Sequence, residues 1–283
     1  MAQNSRRPTP RAKRKYKYTA KTADKHELYQ LSVQDPEIEI AFISRVYKKT
    51  FGKLPLRLRE DFCGTALFAA EWVRGNDSRT AVGLDLDQPT LDWGIEHNLS
   101  TLGDAQERVT LLNQDVRAPL ARKVDVAVGL NFSFWVFRTR ADLREYFKSV
   151  HRSLDKQGLF VLDAYGGPLS MEAMDEHTIE KTQITGGFTY VWDQAAFNPI
   201  DHSVVNHIHF EFKDGSALNK AFTYEWRFWS LPEIREVLAE AGFSDSQVYW
   251  EDEDADGEGT GVYRARKNAE NGGAWICYII ART

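Results

Sequence analysis

Acidic or amide side chains close four short strand-like runs in this chain: Glu60 and Asp61 after Leu56-Arg57-Leu58-Arg59, Asp85 after Ala81–Leu84, Asp115 after Val109–Leu112, and Asn131 after Val124–Leu130. Carboxylate and amide oxygens at such positions accept hydrogen bonds from the hydroxyl and amino groups of a small ligand. The first run leads into Cys63-Gly64-Thr65 and then into an apolar helix from Leu67 to Val73. A glycine turn lets backbone N–H groups approach a ligand closely, and the helix N-terminus behind it carries partial positive charge. In an open parallel sheet the carboxyl ends of the strands share one edge, and ligands bind in the crevice there. The four ends are therefore expected to surround one small molecule.

The order and spacing of these residues resemble the class I S-adenosylmethionine-dependent methyltransferases. Glu60-Asp61-Phe62-Cys63-Gly64-Thr65-Ala66 is similar to the family's first motif, acidic-x-Gly-x-Gly-x-Gly, and departs from it at Phe62 and Ala66, where the motif has its first and third glycines. Val82-Gly83-Leu84-Asp85-Leu86-Asp87 is similar to the second motif, whose acidic residue holds the ribose hydroxyls. The resemblance covers residues 55–165 and returns at 230–282. It implies S-adenosylmethionine as cofactor, with Glu60, Cys63 and Gly64 under it, Asp85 and Leu86 at the ribose, Asp115 and Val116 at the adenine, and Asn131 bounding the pocket. Arg59 joins this set if it meets the cofactor's methionine carboxylate. A buried guanidinium needs a carboxylate in any case, and Glu60 or Asp61 would serve equally.

Residues for an acceptor are less sharply marked. Tyr29 lies on a short helix over 23–33 that, by the same resemblance, closes over the cofactor; packing explains a tyrosine there as well. Trp135, Trp192, Trp226 and Trp229 are candidates for an aromatic wall, with Trp135 and Trp226 foremost. His207 shares a strand face with His209 and is a substrate-binding candidate, but two histidines at that spacing without carboxylates make no convincing metal site. Asp252-Glu253-Asp254-Ala255-Asp256-Gly257 begins like a calcium loop and has Tyr263 where the bidentate glutamate belongs, so an acidic hairpin loop is expected. No metal is expected. Asn131-Phe132-Ser133-Phe134 lacks the prolines of the amino-group nucleic-acid methyltransferases, which it otherwise matches in position.

The two cysteines, Cys63 and Cys277, provide no disulfide framework, which fits a reducing compartment. No apolar run is long enough to span a membrane, and a cytoplasmic protein without membrane partners is expected. Arg6, Arg7, Arg11, Lys13, Arg14, Lys15 and Lys17 stand without an acid among them, so a net charge of −5 leaves −12 on the rest of the chain. Residues 1–20 are expected to be a disordered basic tail, a solvated terminus in preference to an arm for nucleic acid.

Residues 21–54 read as helices over the cofactor edge, the second opened by Asp35-Pro36 and closed by Gly52. Alternating strands and helices over 55–165 predict a Rossmann-like, doubly wound, mostly parallel seven-stranded α/β sheet. From 166 to 229 three runs rich in β-branched and aromatic residues, Thr182–Phe197, Ser203–Phe212 and Ala221–Trp229, predict an inserted antiparallel meander that caps the acceptor site. Residues 230–283 return to the core with a helix opened by the capping box Ser230-x-x-Glu233. The function expected is methyl transfer to nitrogen or oxygen of a small molecule; the alternatives are a methyltransferase of RNA or protein, and a non-catalytic cofactor-binding scaffold.

Overall fold

The computed structural model describes residues 18–180, 187–254 and 259–283. Helix α1 (Lys25–Val33) is capped by Asp24, and α2 (Pro36–Phe51) by Asp35 with Pro36 in its first turn; α2 ends on Gly52 in the left-handed region. Then come β1 (Arg57–Asp61), α3 (Leu67–Arg74), β2 (Thr80–Asp85), α4 (Gln88–His97), β3 (Val109–Asn113) and β4 (Val124–Gly129). Helix α5 (Arg140–Ser153) passes directly into β5 (Leu154–Gly166). The insertion holds β6 (Met174–Glu180), β7 (Phe188–Phe197), β8 (Ser203–Phe212) and β9 (Ala217–Arg227). Helix α6 (Leu231–Glu240), β10 (Asp245–Glu253), β11 (Gly259–Arg266) and β12 (Trp275–Arg282) complete the chain. The capping box at Ser230 and Glu233 forms as expected.

The main sheet runs β11-β10-β12-β5-β4-β1-β2-β3. Strands β1 to β5 are mutually parallel, and β12, β10 and β11 are added antiparallel. It has eight strands where seven were expected. The extra one, β11, is almost wholly exposed, so it shows none of the one-face burial that writes an alternating pattern into a strand. Helices α2, α3 and α4 cover one face, where Ile43, Trp72 and Leu91 meet Leu58, Val126 and Val161. The opposite face is covered by α5 and α6, where Phe147 and Leu238 share a core with Ala127, Phe160 and Ile279.

The inserted sheet is separate, in the order β6-β7-β8-β9. Its fourth strand, β6, went unforeseen because its described side chains are exposed. The first part of the expected strand over 182–197 lies outside the described residues, as do residues 1–17 of the basic tail. Tyr18, counted with that tail, is buried and packs edge-on against Phe188 of β7, with centroids 5.6 Å apart. Leu28 of α1 joins the same cluster, so α1 is anchored to the inserted sheet. No helix among the described residues is long and apolar enough to cross a membrane.

Candidate functional site

The turn after β1 alternates in hand: Phe62, Gly64 and Ala66 all lie at positive φ, at 56°, 52° and 54°. These are the three glycine positions of the motif. A side chain in this region costs roughly 1–2 kcal/mol per residue, so Phe62 and Ala66 keep the backbone path at an energetic cost. Local bonds hold it: Cys63 N–H donates to the Leu84 carbonyl at 3.0 Å and Ala66 N–H to the Cys63 carbonyl at 2.7 Å. From α1, the Gln30 amide reaches Thr65 Oγ1 at 2.7 Å; the Asn98 amide, after α4, reaches the Thr65 carbonyl at 2.8 Å. Helix α4 approaches so closely that a Cβ on Gly94 would lie 2.4 Å from the Thr65 carbonyl oxygen.

The turn meets Asp85 at the end of β2. Gly64 N–H donates to Asp85 Oδ2 at 2.8 Å and Asp87 N–H to Oδ1 at 2.9 Å. The carboxylate is thus fixed at the rim of a cavity of about 750 Å³, within the roughly 300–1,000 Å³ usual for small-molecule sites. Cys63, Gly64, Asp85, Leu86, Asp115, Val116, Asn131, Tyr29 and Trp226 all line it. After β3, the strand paired with β2, Asp115 is gripped by Arg117 at 2.7 Å, which holds its carboxyl below the usual range. Asn131 and Phe132 turn left-handed after β4, and both donate backbone N–H groups to Asp163 of β5 at 2.8 and 2.9 Å.

The roof comes from α1 and the inserted sheet. His26 and Tyr29 of α1 and Phe222, Tyr224 and Trp226 of β9 line the cavity together. Tyr29 hydrogen-bonds Tyr224 and packs on Phe222 at 5.0 Å, and Tyr224 stacks on Trp226 at 4.4 Å. Burial, then neighbouring Lys25, holds His26 below the usual imidazole range.

Four expected site residues, Arg59, Glu60, Trp135 and His207, do not line this cavity. Arg59 is fully buried beneath the turn, with Nε 2.7 Å from Asp61 Oδ1 and a further bond to the Val116 carbonyl; Tyr146 Oη of α5 donates to Asp61 at 2.9 Å. Its carboxylate is therefore Asp61, and it does not line the cavity. Trp135 is wholly buried among Tyr165, Phe228 and Trp226, a core tryptophan. His207 is buried against Thr223, and His209 bonds Asp193 at 3.2 Å. No group of three His, Cys, Asp or Glu side chains among the described residues is placed to hold a metal.

Glu60 points the other way, into a side chamber of about 20 Å³. Its Oε2 accepts from Ala69 N–H at 2.9 Å, which caps α3 from within the sheet. Glu39 of α2 and Gln34 stand in the chamber wall. Sequence reading did not mark these two, nor His26, Arg117 or Asp163. Asp163 alone carried a signal, as a fifth strand end of the same kind as the other four.

No protein-family model matches the chain. A solved S-adenosylmethionine-dependent methyltransferase from Clostridium acetobutylicum ATCC 824 superposes with a TM-score of 0.66 at 18% identity, over 91% of this chain and 97% of that one. The chain has the fold of the class I methyltransferases. CalS10 from Micromonospora echinaspora, an amino pentose methyltransferase solved with S-adenosylmethionine bound, gives 0.64 at 14% identity over 91% and 96%. The sugar N-methyltransferase KedS8 from Streptoalloteichus sp ATCC 53650 gives 0.59 at 16% identity over 100% and 99%. In sequence, the chain is 24% identical over 195 residues to "Putative methyltransferase YqeM" of Bacillus subtilis (strain 168), spanning 68% of this chain and 75% of that protein.

The cavity fits the cofactor of this fold on its own geometry. Gly64 at positive φ leaves the floor open, since a Cβ there would find its nearest neighbour, Thr90 Cγ2, only at 3.8 Å. Asp85, with one backbone donor on each oxygen, keeps lone pairs that the hydroxyls of a vicinal diol could use.

Proposed function

We propose that this protein is an S-adenosylmethionine-dependent methyltransferase acting on a nitrogen of a small polar acceptor. The observation that carries this reading is the left-handed turn Phe62–Ala66 locked to Asp85 at the mouth of one large cavity. Gly64 and Asp85 would hold the ribose end of the cofactor, and Asp115 with Val116 the adenine. When bound, the cofactor supplies a methyl group activated on a positive sulfur for in-line displacement.

The chain's own part is to align the acceptor and exclude water. The inserted sheet and α1 roof the cavity with Tyr29, Phe222, Tyr224 and Trp226, a surface suited to the apolar face of a ring whose polar groups face Arg138 and Asn131. A nitrogen acceptor must arrive as the free amine, and His26, neutral at pH 7, is the cavity imidazole able to take its proton. That CalS10 and KedS8 are described as acting on an amino pentose and on a sugar nitrogen supports an aminated sugar as the acceptor class.

The test is calorimetric titration with S-adenosylmethionine and S-adenosylhomocysteine beside an Asp85→Ala control, followed by a mass-shift screen of amino sugars. Binding weakened about tenfold or more in the control, with one methyl added to an amine, supports the proposal. If neither sulfur nucleoside binds wild-type protein, the proposal fails.

A further inference from the structure

His26 lines the cavity from the first turn of α1, and its side chain is held there by rings. The indole of Trp93, from α4, lies 5.3 Å from the imidazole centroid at a tilt of 44°, and Phe222 of the inserted sheet lies edge-on at 6.0 Å. Among the described residues, neither imidazole nitrogen has a hydrogen-bond partner. A histidine that takes a proton in catalysis is ordinarily oriented by a third group bonded to its second nitrogen. No side chain among the described residues plays that part here, so ring packing has to set the direction of the imidazole.

Trp93 is itself firmly placed. Its Nε1–H donates to Asp24 Oδ2 at 2.9 Å, while Asp24 Oδ1 caps α1 by accepting from the backbone N–H groups of His26 and Glu27 at 2.8 and 3.2 Å. One carboxylate thus fixes both the start of the helix that bears His26 and the ring on which His26 packs. The indole also stacks on His97, one helical turn later, with centroids 4.1 Å apart and planes 9° from parallel. Helix α4 is in turn seated on the glycine turn: Gly94, next to Trp93, meets the Thr65 carbonyl, and Gln30 of α1 reaches Thr65 Oγ1 at 2.7 Å. His26 and Trp93 are therefore both referred to the turn that carries Gly64.

We propose that Trp93 is a positioning residue for the reaction: anchored by Asp24, it aims the His26 imidazole at the acceptor nitrogen and leaves both ring nitrogens clear. This rests on the reading of His26 as the proton acceptor. The acceptor ammonium loses one proton to an imidazole nitrogen, and the electrons of that N–H bond become the lone pair that attacks the methyl carbon. His26 leaves the step as an imidazolium and returns the proton to solvent.

The charges around the slot fit a base that is neutral before the step. Burial and then Lys25 hold His26 below the usual imidazole range, His97 acts in the same direction, and Asp24 and Asp87 oppose them. Strand β9 meets the imidazole with the uncharged ring of Phe222, over which the Lys25 ammonium lies at 5.0 Å.

Trp93 is half-buried, so its replacement is expected to leave a folded protein. The first readout needs no acceptor. The His26 imidazole signal in proton NMR of the full chain, assigned by its loss in His26→Gln, should titrate below the ordinary range in wild type and closer to it in Trp93→Leu, where the slot is opened. In turnover of an amine near pH 7, Trp93→Leu should lower kcat about tenfold or more, with acceptor KM and S-adenosylhomocysteine affinity within about twofold of wild type. The deficit should close at a pH where the amine arrives deprotonated, and Trp93→Phe, which keeps a ring, should recover part of kcat. Asp24→Asn keeps one oxygen for the helix cap and loses the one that takes the indole N–H; it should show a smaller deficit of the same pH dependence at an unchanged melting temperature. The double variant of His26→Gln with Trp93→Leu should be no slower than His26→Gln, since a residue acting through His26 then has nothing to position. An unmoved His26 titration in Trp93→Leu, a loss equal at every pH, or losses that multiply in the double variant overturn the positioning role and leave His26 as the base. If His26→Gln keeps full kcat, the base reading falls, and this inference with it.

Discussion

Asp85 engages the turn through one oxygen and the start of α4 through the other, so its side chain is a structural tie as well as the proposed ribose ligand. Asp85→Ala should lower S-adenosylhomocysteine affinity about tenfold or more, since a hydrogen bond to a charged group contributes roughly 1.5–3 kcal/mol; calorimetry checks this. The Cβ of Gly64→Ala meets only Thr90 Cγ2, at an ordinary contact distance of 3.8 Å, so its cost should be the conformational one alone, about 1–2 kcal/mol in a denaturant melt. For His26→Gln, kcat on an amine should fall roughly 10²-fold at neutral pH and recover as the acceptor deprotonates at higher pH; a flat loss at every pH would remove His26 as the proton acceptor. That Gly64, Asp85 and Asp115 line one cavity could be read in the sequence because a turn and two strand ends are set by local backbone geometry. Arg59 could not, because the residue that decided its role lies two positions on and is fixed by Tyr146, 85 residues further along. Trp135 and Trp226 likewise differ only in tertiary placement, one in the core and one at the cavity wall.

At the scale of elements, the parallel core was legible because strands β1 to β5 alternate with helices, and α2 and α6 carry their caps in sequence. Strands β6 and β11 were not, since an exposed edge strand needs no alternation of apolar and polar residues. The fit of α4 on the turn at Gly94 was invisible for a different reason: a glycine within a helix records only that something comes near. Its partner, Thr65, is 2.4 Å from where a Cβ would stand. Gly94→Val should therefore force α4 off the turn, destabilising the protein by about 1–3 kcal/mol or more and weakening cofactor binding together with the melting temperature.

The whole molecule carries an unusual acid balance around its ligand edge. Glu39 and Glu60 are pushed to about 8 and Asp163 to about 7, each chiefly by burial. A carboxyl whose pKa is raised on folding binds its proton more tightly in the native state. Its contribution to stability is present below the unfolded value and is lost as pH rises through the folded one. The ligand-free protein should thus melt at progressively lower temperature from about pH 5 to pH 8. Glu60→Gln, which retains an acceptor for Ala69 N–H, should flatten that slope in thermal melts taken across the range. The inserted sheet has a further consequence. Its strands hydrogen-bond to one another, and the two ladders remain separate sheets, joined to the core where the chain leaves β5 at Gly166 and re-enters α6 at Leu231. A heterologous cap grafted between those two points would leave the Gly64–Asp85 floor intact if it matched α1 at Tyr29 and the core around Trp135 and Tyr165, so acceptor choice in this scaffold can diverge, or be redirected, without renegotiating the nucleoside.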